Sequence, residues 1–233
     1  MLTPELSGAR SLVLSVEDLA VMRGRRRIIS GLSLQVADGE IVALVGDNGC
    51  GKSTAMGAVA GLFRPRQGQV RIDGHDVWGP ARQRQAARRA LGYLPEGGEG
   101  GEGSGGAGGV GSHALGFLDG SELWALVAAA RGAQPPSPEL SAALGLPELA
   151  ARKLGQMSLG QRRRAYLAAA LLGPPRLLVL DEPDNGLDAA RLDALTALLL
   201  AHRAHGAVLL ASHDPALVER LGARVVKLVA TAG

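Results

Sequence analysis

The sequence predicts an α/β fold built on a mostly parallel sheet, and three observations carry that expectation. Continuous apolar runs of buried-strand type, at residues 41–45, 177–180 and 207–211, alternate with helical patterns. A glycine-rich loop from Gly46 to Gly51 joins the first run to the helical stretch KSTAMGAVAGLF. The second run ends in two adjacent carboxylates, Asp181 and Glu182. Strands that alternate with helices in this way pack as a sheet covered by helices.

Taken in order, residues 11–16 and 30–36 read as short strands, with Arg23, Arg25, Arg26 and Arg27 clustered between them. Asp38-Gly39 is a turn ahead of the first buried run. Residues 69–72 and 75–77 flank Asp73-Gly74, a dipeptide suited to the positive φ angles of a two-residue hairpin. Helices are expected at 118–130, 138–144 and 161–172, the last stopped by Gly173-Pro174-Pro175. A helix at 189–204 and a strand at 225–229 complete the pattern.

The chain has 233 residues, 46% of them apolar, enough for a substantial core. Of its 34 glycines, ten lie between Gly97 and Gly111, a stretch with no apolar period that is expected to be flexible coil interrupting one fold. The 25 basic and 22 acidic residues leave +3, too weak a surplus to argue for a nucleic-acid partner. A single cysteine, Cys50, excludes an internal disulfide and fits a reducing, cytosolic setting. No run approaches the roughly 18 apolar residues of a membrane span, and the N-terminus lacks a signal-peptide layout. A soluble chain is expected, held at a membrane only through something else.

The segment Gly46-Asp47-Asn48-Gly49-Cys50-Gly51-Lys52-Ser53, followed by Thr54, fits the phosphate-loop pattern G-x-x-x-x-G-K-[ST]. Its glycines let backbone N–H groups curl around phosphates, and the helix N-terminus that follows adds positive potential. Lys52 is expected to reach the β- and γ-phosphates, and Ser53 to offer its hydroxyl to Mg²⁺. The carboxylates after residues 177–180 stand where open α/β sheets place ligands. One, Asp181, can hold Mg²⁺, and its neighbour Glu182 can polarise the attacking water. Together the two motifs predict a phosphate-loop core that holds a nucleotide's phosphates and Mg²⁺.

Between and after these motifs, Met157-Ser158-Leu159-Gly160-Gln161-Arg162-Arg163-Arg164, Pro183-Asp184-Asn185-Gly186-Leu187-Asp188 and Ala211-Ser212-His213-Asp214 complete an ordered set. Along nearly its whole length the chain resembles the ATP-binding cassette (ABC) transporter ATPases, whose signature, D-loop and switch histidine these segments match. The resemblance implies one nucleotide-binding domain over residues 1–233, with an N-terminal antiparallel β part. Residues 1–96 and about 155–233 would form the catalytic core, and about 97–154 the glycine-rich insertion and a helical subdomain. It implies an ATP-hydrolysing subunit that powers separate membrane-spanning permease subunits from the inner face of the cell membrane. Two copies would close head-to-tail as a homodimer over two ATP molecules. Ser158, Gly160 and Gln161 would meet the γ-phosphate held by the other copy, with Asp188 as the D-loop aspartate. His213 would contact the γ-phosphate in its own copy. Ser158 can equally serve as a helix N-cap.

Three positions depart from the family pattern. Glu96 stands where a glutamine usually contacts Mg²⁺ and water, so it is either a stronger metal ligand or a charge that handicaps the site. The second case would make the chain a regulatory cassette with little hydrolysis. Leu159 replaces the first signature glycine. Arg23 stands where an aromatic residue normally stacks on adenine; a guanidinium can stack there too, or the cluster is a solvated face. Cys50, inside the phosphate loop, is expected to react with maleimide and to be shielded by bound nucleotide. His202 and His205 are expected to be ordinary surface histidines.

Overall fold

In the computed structural model, residues 11–96 and 115–229 are described. The glycine-rich coil expected from Gly97 to Gly111 lies outside the described residues. The chain opens with a long hairpin, β1 (Leu12–Arg23) and β2 (Arg26–Ala37), followed by β3 (Ile41–Val45) and α1 (Lys52–Val59). Next come β4 (Gln67–Ile72), β5 (His75–Asp76), α2 (Ala81–Arg89) and β6 (Leu91–Leu94). Helices α3 (Gly120–Arg131), α4 (Pro138–Leu144) and α5 (Leu159–Leu171) lead to β7 (Leu177–Asp181). The last elements are α6 (Ala189–His202), β8 (Ala207–Ala211), α7 (Pro215–Arg220) and β9 (Arg224–Lys227).

Two sheets result, an antiparallel one ordered β2-β1-β4-β5 and a parallel one ordered β6-β7-β8-β3-β9. The apolar runs are continuous because the parallel sheet is buried on both faces. Val42, Leu44, Leu177, Val179 and Leu209 point to the side shared with α1 and the antiparallel sheet. Their neighbours Ala43, Leu178, Leu180, Val208 and Leu210 point to the side covered by α3, α5 and α6. Burying each of the larger side chains stabilises the fold by about 1.5–3 kcal/mol. This sandwich fixes where the ends of β3, β7 and β8 emerge, and the chemistry-bearing residues follow those ends.

The structure also departs from the expectations. The first two strands extend through the arginine cluster: Arg23 pairs with Arg26, and only Gly24 and Arg25 turn. Element α2 carries too few apolar residues for periodicity to reveal, burying Ala87 alone, while β6 at four residues and α7 at six are too short to show a period. The Asp73-Gly74 turn has φ of 49° and 78°, as a two-residue hairpin requires. His202 is not a surface residue: it is 5% exposed at the end of α6, and its Nε2 has no hydrogen-bond partner.

Candidate active site

Beyond β3 the chain turns through residues 46–51 into α1. Gly51, the residue preceding α1, has φ 106°, and a Cβ there would come within 2.8 Å of the Ile29 side chain. Glycine is therefore required by both conformation and space. Lys52 is 6% exposed, and its Nζ donates to the carbonyls of Gly46 at 2.8 Å and Asp47 at 3.3 Å. The lysine thus folds back over its own loop, while Asp47, Asn48 and Gly49 stay exposed. The expectation of a reactive Cys50 is overturned. Its thiol is 3% exposed and belongs to the apolar cluster beneath the loop, because the same tight curl that bares residues 47–49 turns residue 50 inward.

Ser53, one residue into α1, donates through Oγ to Glu96 Oε2 at 2.8 Å. Glu96 follows β6, so the helix after the phosphate loop and the adjoining strand meet at this hydrogen bond. The Ser53 hydroxyl has one proton and gives it to Glu96. Asp181, 1% exposed at the end of β7, is left with both carboxylate oxygens buried and unpartnered. Burial pushes its carboxyl up to about 6; the negative charges of Glu96 and Glu182 add to the rise, while the Arg163 guanidinium opposes it.

Glu182 takes the left-handed conformation, φ 50°, a strained one for a residue with a side chain. Its N–H donates to the Ala211 carbonyl at the end of β8, at 2.9 Å. Its Oε1 lies 2.8 Å from His213 Nε2, with the glutamate side chain 17% exposed and the histidine 48%. His213 is aimed by the loop after β8, where the Asp214 N–H donates to Ser212 Oγ at 2.9 Å. The ends of three strands and one helix thus gather Lys52, Ser53, Glu96, Asp181, Glu182 and His213 at one edge of the sheet.

The signature and D-loop residues form a second group. Ser158 caps α5: it accepts from the Gln161 N–H at 3.3 Å, and its own N–H donates to Gln161 Oε1 at 3.0 Å. The expected helix therefore starts two residues earlier, at Leu159. A Cβ on Gly160 would lie 2.9 Å from the Gly186 carbonyl, so the D-loop packs on the signature only because that residue is glycine. Asp188 caps α6 through the Arg191 N–H at 2.9 Å and also pairs with the Arg191 side chain. Arg23 stands apart from both groups, its guanidinium 4.1 Å above the centre of the Phe63 ring.

Two neighbours of the carboxylates, Tyr93 and Arg163, were not singled out from the sequence as site residues. Burial raises the pKa of the Tyr93 phenol on β6, and the negative charges of Asp181 and Glu96 add to that. Arg163 on α5 lies beneath Asp181 and Glu182; its only sequence signal is its place in the run after Gln161.

A model of the ABC transporter family matches residues 29–185. The chain is 34% identical to an aliphatic sulfonates import ATP-binding protein of Burkholderia cenocepacia, over 99% of this chain and 80% of that one. Among solved structures, an ATP-binding subunit of an ABC transporter superposes with a TM-score of 0.78 at 28% identity, covering 93% of this chain and 86% of that one. A dimeric ATP-binding cassette in a post-hydrolysis state, bound to ADP and Pi, shares the fold with a TM-score of 0.74 at 21% identity, over 93% and 94% of the two chains. The family model spans most of the chain and the sequence likeness runs almost end to end: the chain belongs to the ABC transporter family, as an ATP-binding and ATP-hydrolysing subunit.

Proposed function

We propose that hydrolysis proceeds at the corner formed by Glu182, Asp181 and His213, with the phosphates of ATP held by residues 46–54. The observation that carries this reading is the 2.8 Å contact between Glu182 Oε1 and His213 Nε2 beside the unpartnered Asp181 carboxylate. Lys52 exchanges its loop carbonyls for phosphate oxygens. Glu182 accepts a hydrogen bond from the attacking water and polarises it, while His213 keeps the glutamate oriented and, being half exposed, is free to meet the γ-phosphate.

Hard oxygen donors at Ser53, Asp181 and Glu96 suit Mg²⁺, and the buried Asp181 oxygens lack any other partner. The metal supplies charge neutralisation at the phosphates when bound. These residues would hold the ion only in part, and phosphate oxygens of ATP and water would supply the rest of its ligands. Glu96 would then serve as a ligand, a role that favours an active cassette over a regulatory one.

The exposed α5 N-terminus, with Ser158, Gly160 and Gln161, and the D-loop ending at Asp188 present a surface suited to a second copy's nucleotide. We therefore read the working unit as a homodimer closing over two ATP molecules. Among the described residues no helix is long and apolar enough to cross a membrane. Separate membrane-spanning subunits, as the names of import relatives suggest, would hold the dimer at the inner face of the membrane. Residues 1–233 are taken as one nucleotide-binding domain, with α3 and α4 in its helical part.

Replacing Glu182 tests the reading directly. Glu182→Gln should lower kcat by about a hundredfold or more while ATP still binds, and should accumulate a closed dimer in ATP. Wild-type turnover in that variant would remove Glu182 from its role.

A further inference from the structure

Arg163 lies on the second turn of α5 and is 0% exposed, the largest of the fully buried side chains. Its Nη2 donates to the Asp181 carbonyl at 2.7 Å and also to the Glu182 carbonyl. Its Nε and Nη1 are buried without an acceptor. Burial alone disfavours the charge, and what offsets it is the field of Asp184, Asp181, Glu182 and Glu96, in that order. Holding two carbonyls needs only a neutral donor. A fully buried guanidinium with two idle nitrogens is a costly way to do it unless the location matters.

The contrast with Arg131 on α3 makes the point. That guanidinium is only partly buried, and it donates to four carbonyls: Leu91 and Leu172 at 2.7 Å, Ala170 at 3.0 Å and Ala169 at 3.3 Å. Arg131 is explained by the backbone it joins. Arg163 instead grips the two peptide carbonyls on either side of the strained Glu182 backbone, where φ is 50°.

We propose that Arg163 is a positioning residue for hydrolysis: from the signature helix it clamps the carbonyls of Asp181 and Glu182, fixing the left-handed turn that aims the Glu182 carboxylate at His213. The same contact joins the signature helix to the hydrolytic corner within one chain. A change in α5 therefore reaches Glu182 through a single side chain. The inference rests on the reading of Glu182 as the residue that polarises water.

The test combines Arg163→Met, Arg163→Gln and Arg163→Lys with Glu182→Gln, reading kcat, ATP affinity in the absence of turnover, and thermal midpoint. Arg163→Met should lower kcat by about tenfold to a hundredfold, the effect of misplacing a catalytic group by about 1 Å. Its ATP affinity should stay within about twofold, since the phosphate loop is untouched. Arg163→Lys, with a donor and charge on a stem of similar length, should recover most of the loss, and Arg163→Gln should fall between the two. Adding Arg163→Met to Glu182→Gln should cost nothing further, because both act on one step.

Unchanged kcat in Arg163→Met overturns the proposal. So does a parallel loss of kcat and ATP affinity, or a multiplied loss in the double variant. Should Arg163→Met not fold, the order of Lys above Gln in kcat, at equal ATP affinity, decides the matter in the same way. Glu182→Gln that turns over normally defeats the reading of Glu182; Glu182→Gln that is dead beside a fully active Arg163→Met defeats only the clamp.

Discussion

The phosphate loop and the carboxylate corner lie side by side, yet their polar groups are satisfied in opposite ways. In the loop, Lys52 is paired with the carbonyls of Gly46 and Asp47, and Ser53 with Glu96. In the corner, Asp181 has two buried oxygens without partners, Glu182 holds a strained φ, and Arg163 has two idle nitrogens. A loop that closes on its own lysine can exist without ligand and open when phosphates compete for that lysine. Its business is affinity. A corner that stores strain and unmet hydrogen bonds is completed only by what it acts on, and its business is turnover.

The largest effect that probes this division is on the loop. Lys52→Ala removes the charged donor to the phosphates, and hydrogen bonds to charged groups contribute about 1.5–3 kcal/mol, so ATP affinity should fall by about tenfold to a hundredfold. Fluorescence titration with a slowly hydrolysed ATP analogue measures this. Affinity left intact alongside a lost kcat would place Lys52 with the corner and break the comparison.

Glu96 is the residue that joins the two regions, and its effect should be smaller. Glu96→Gln keeps an oxygen to accept from Ser53 but removes a charged ligand. The half-saturating Mg²⁺ concentration for ATPase activity should rise by about threefold to tenfold, since cation affinity follows ligand charge. A Mg²⁺ titration that does not move would assign Glu96 to the loop's internal hydrogen bonding alone.

How far the sequence disclosed this arrangement depended on the kind of signal. The buried runs at β3, β7 and β8 were legible because both faces of the sheet are covered, so no polar residue interrupts them. The loop, the β7 carboxylates and His213 were legible because motif spacing encodes them. Elements α2 and β6 were not, since one is nearly all polar and the other is four residues long. The inward turn of Cys50 was hidden because it follows from how residues 46–51 curl, which composition does not specify. Arg163 was hidden among three consecutive arginines: only packing shows that Arg163 and Arg164 are buried while Arg162 is partly exposed.

The smallest effect concerns an unsatisfied group remote from both regions. His202 resembles Asp181 in being buried with an unpartnered nitrogen, but it lies at the far end of α6 and touches nothing in the site. Burial lowers its pKa to about 4 from 6.5, with His205 and Arg176 pushing the same way and a bond to the Pro175 carbonyl opposing. A folded pKa below the unfolded one means the folded state resists the proton. The stability involved is fully present above about pH 6.5 and is lost as pH falls toward 4, by roughly 3 kcal/mol at most. His202→Leu should therefore flatten the fall in thermal midpoint between pH 6.5 and 4, while leaving ATPase activity at neutral pH within about twofold. If the comparison is sound, unmet hydrogen bonds matter for turnover only where the ligand can meet them. A His202→Leu variant that lost activity while remaining folded would show that unsatisfied groups outside the corner also serve the reaction.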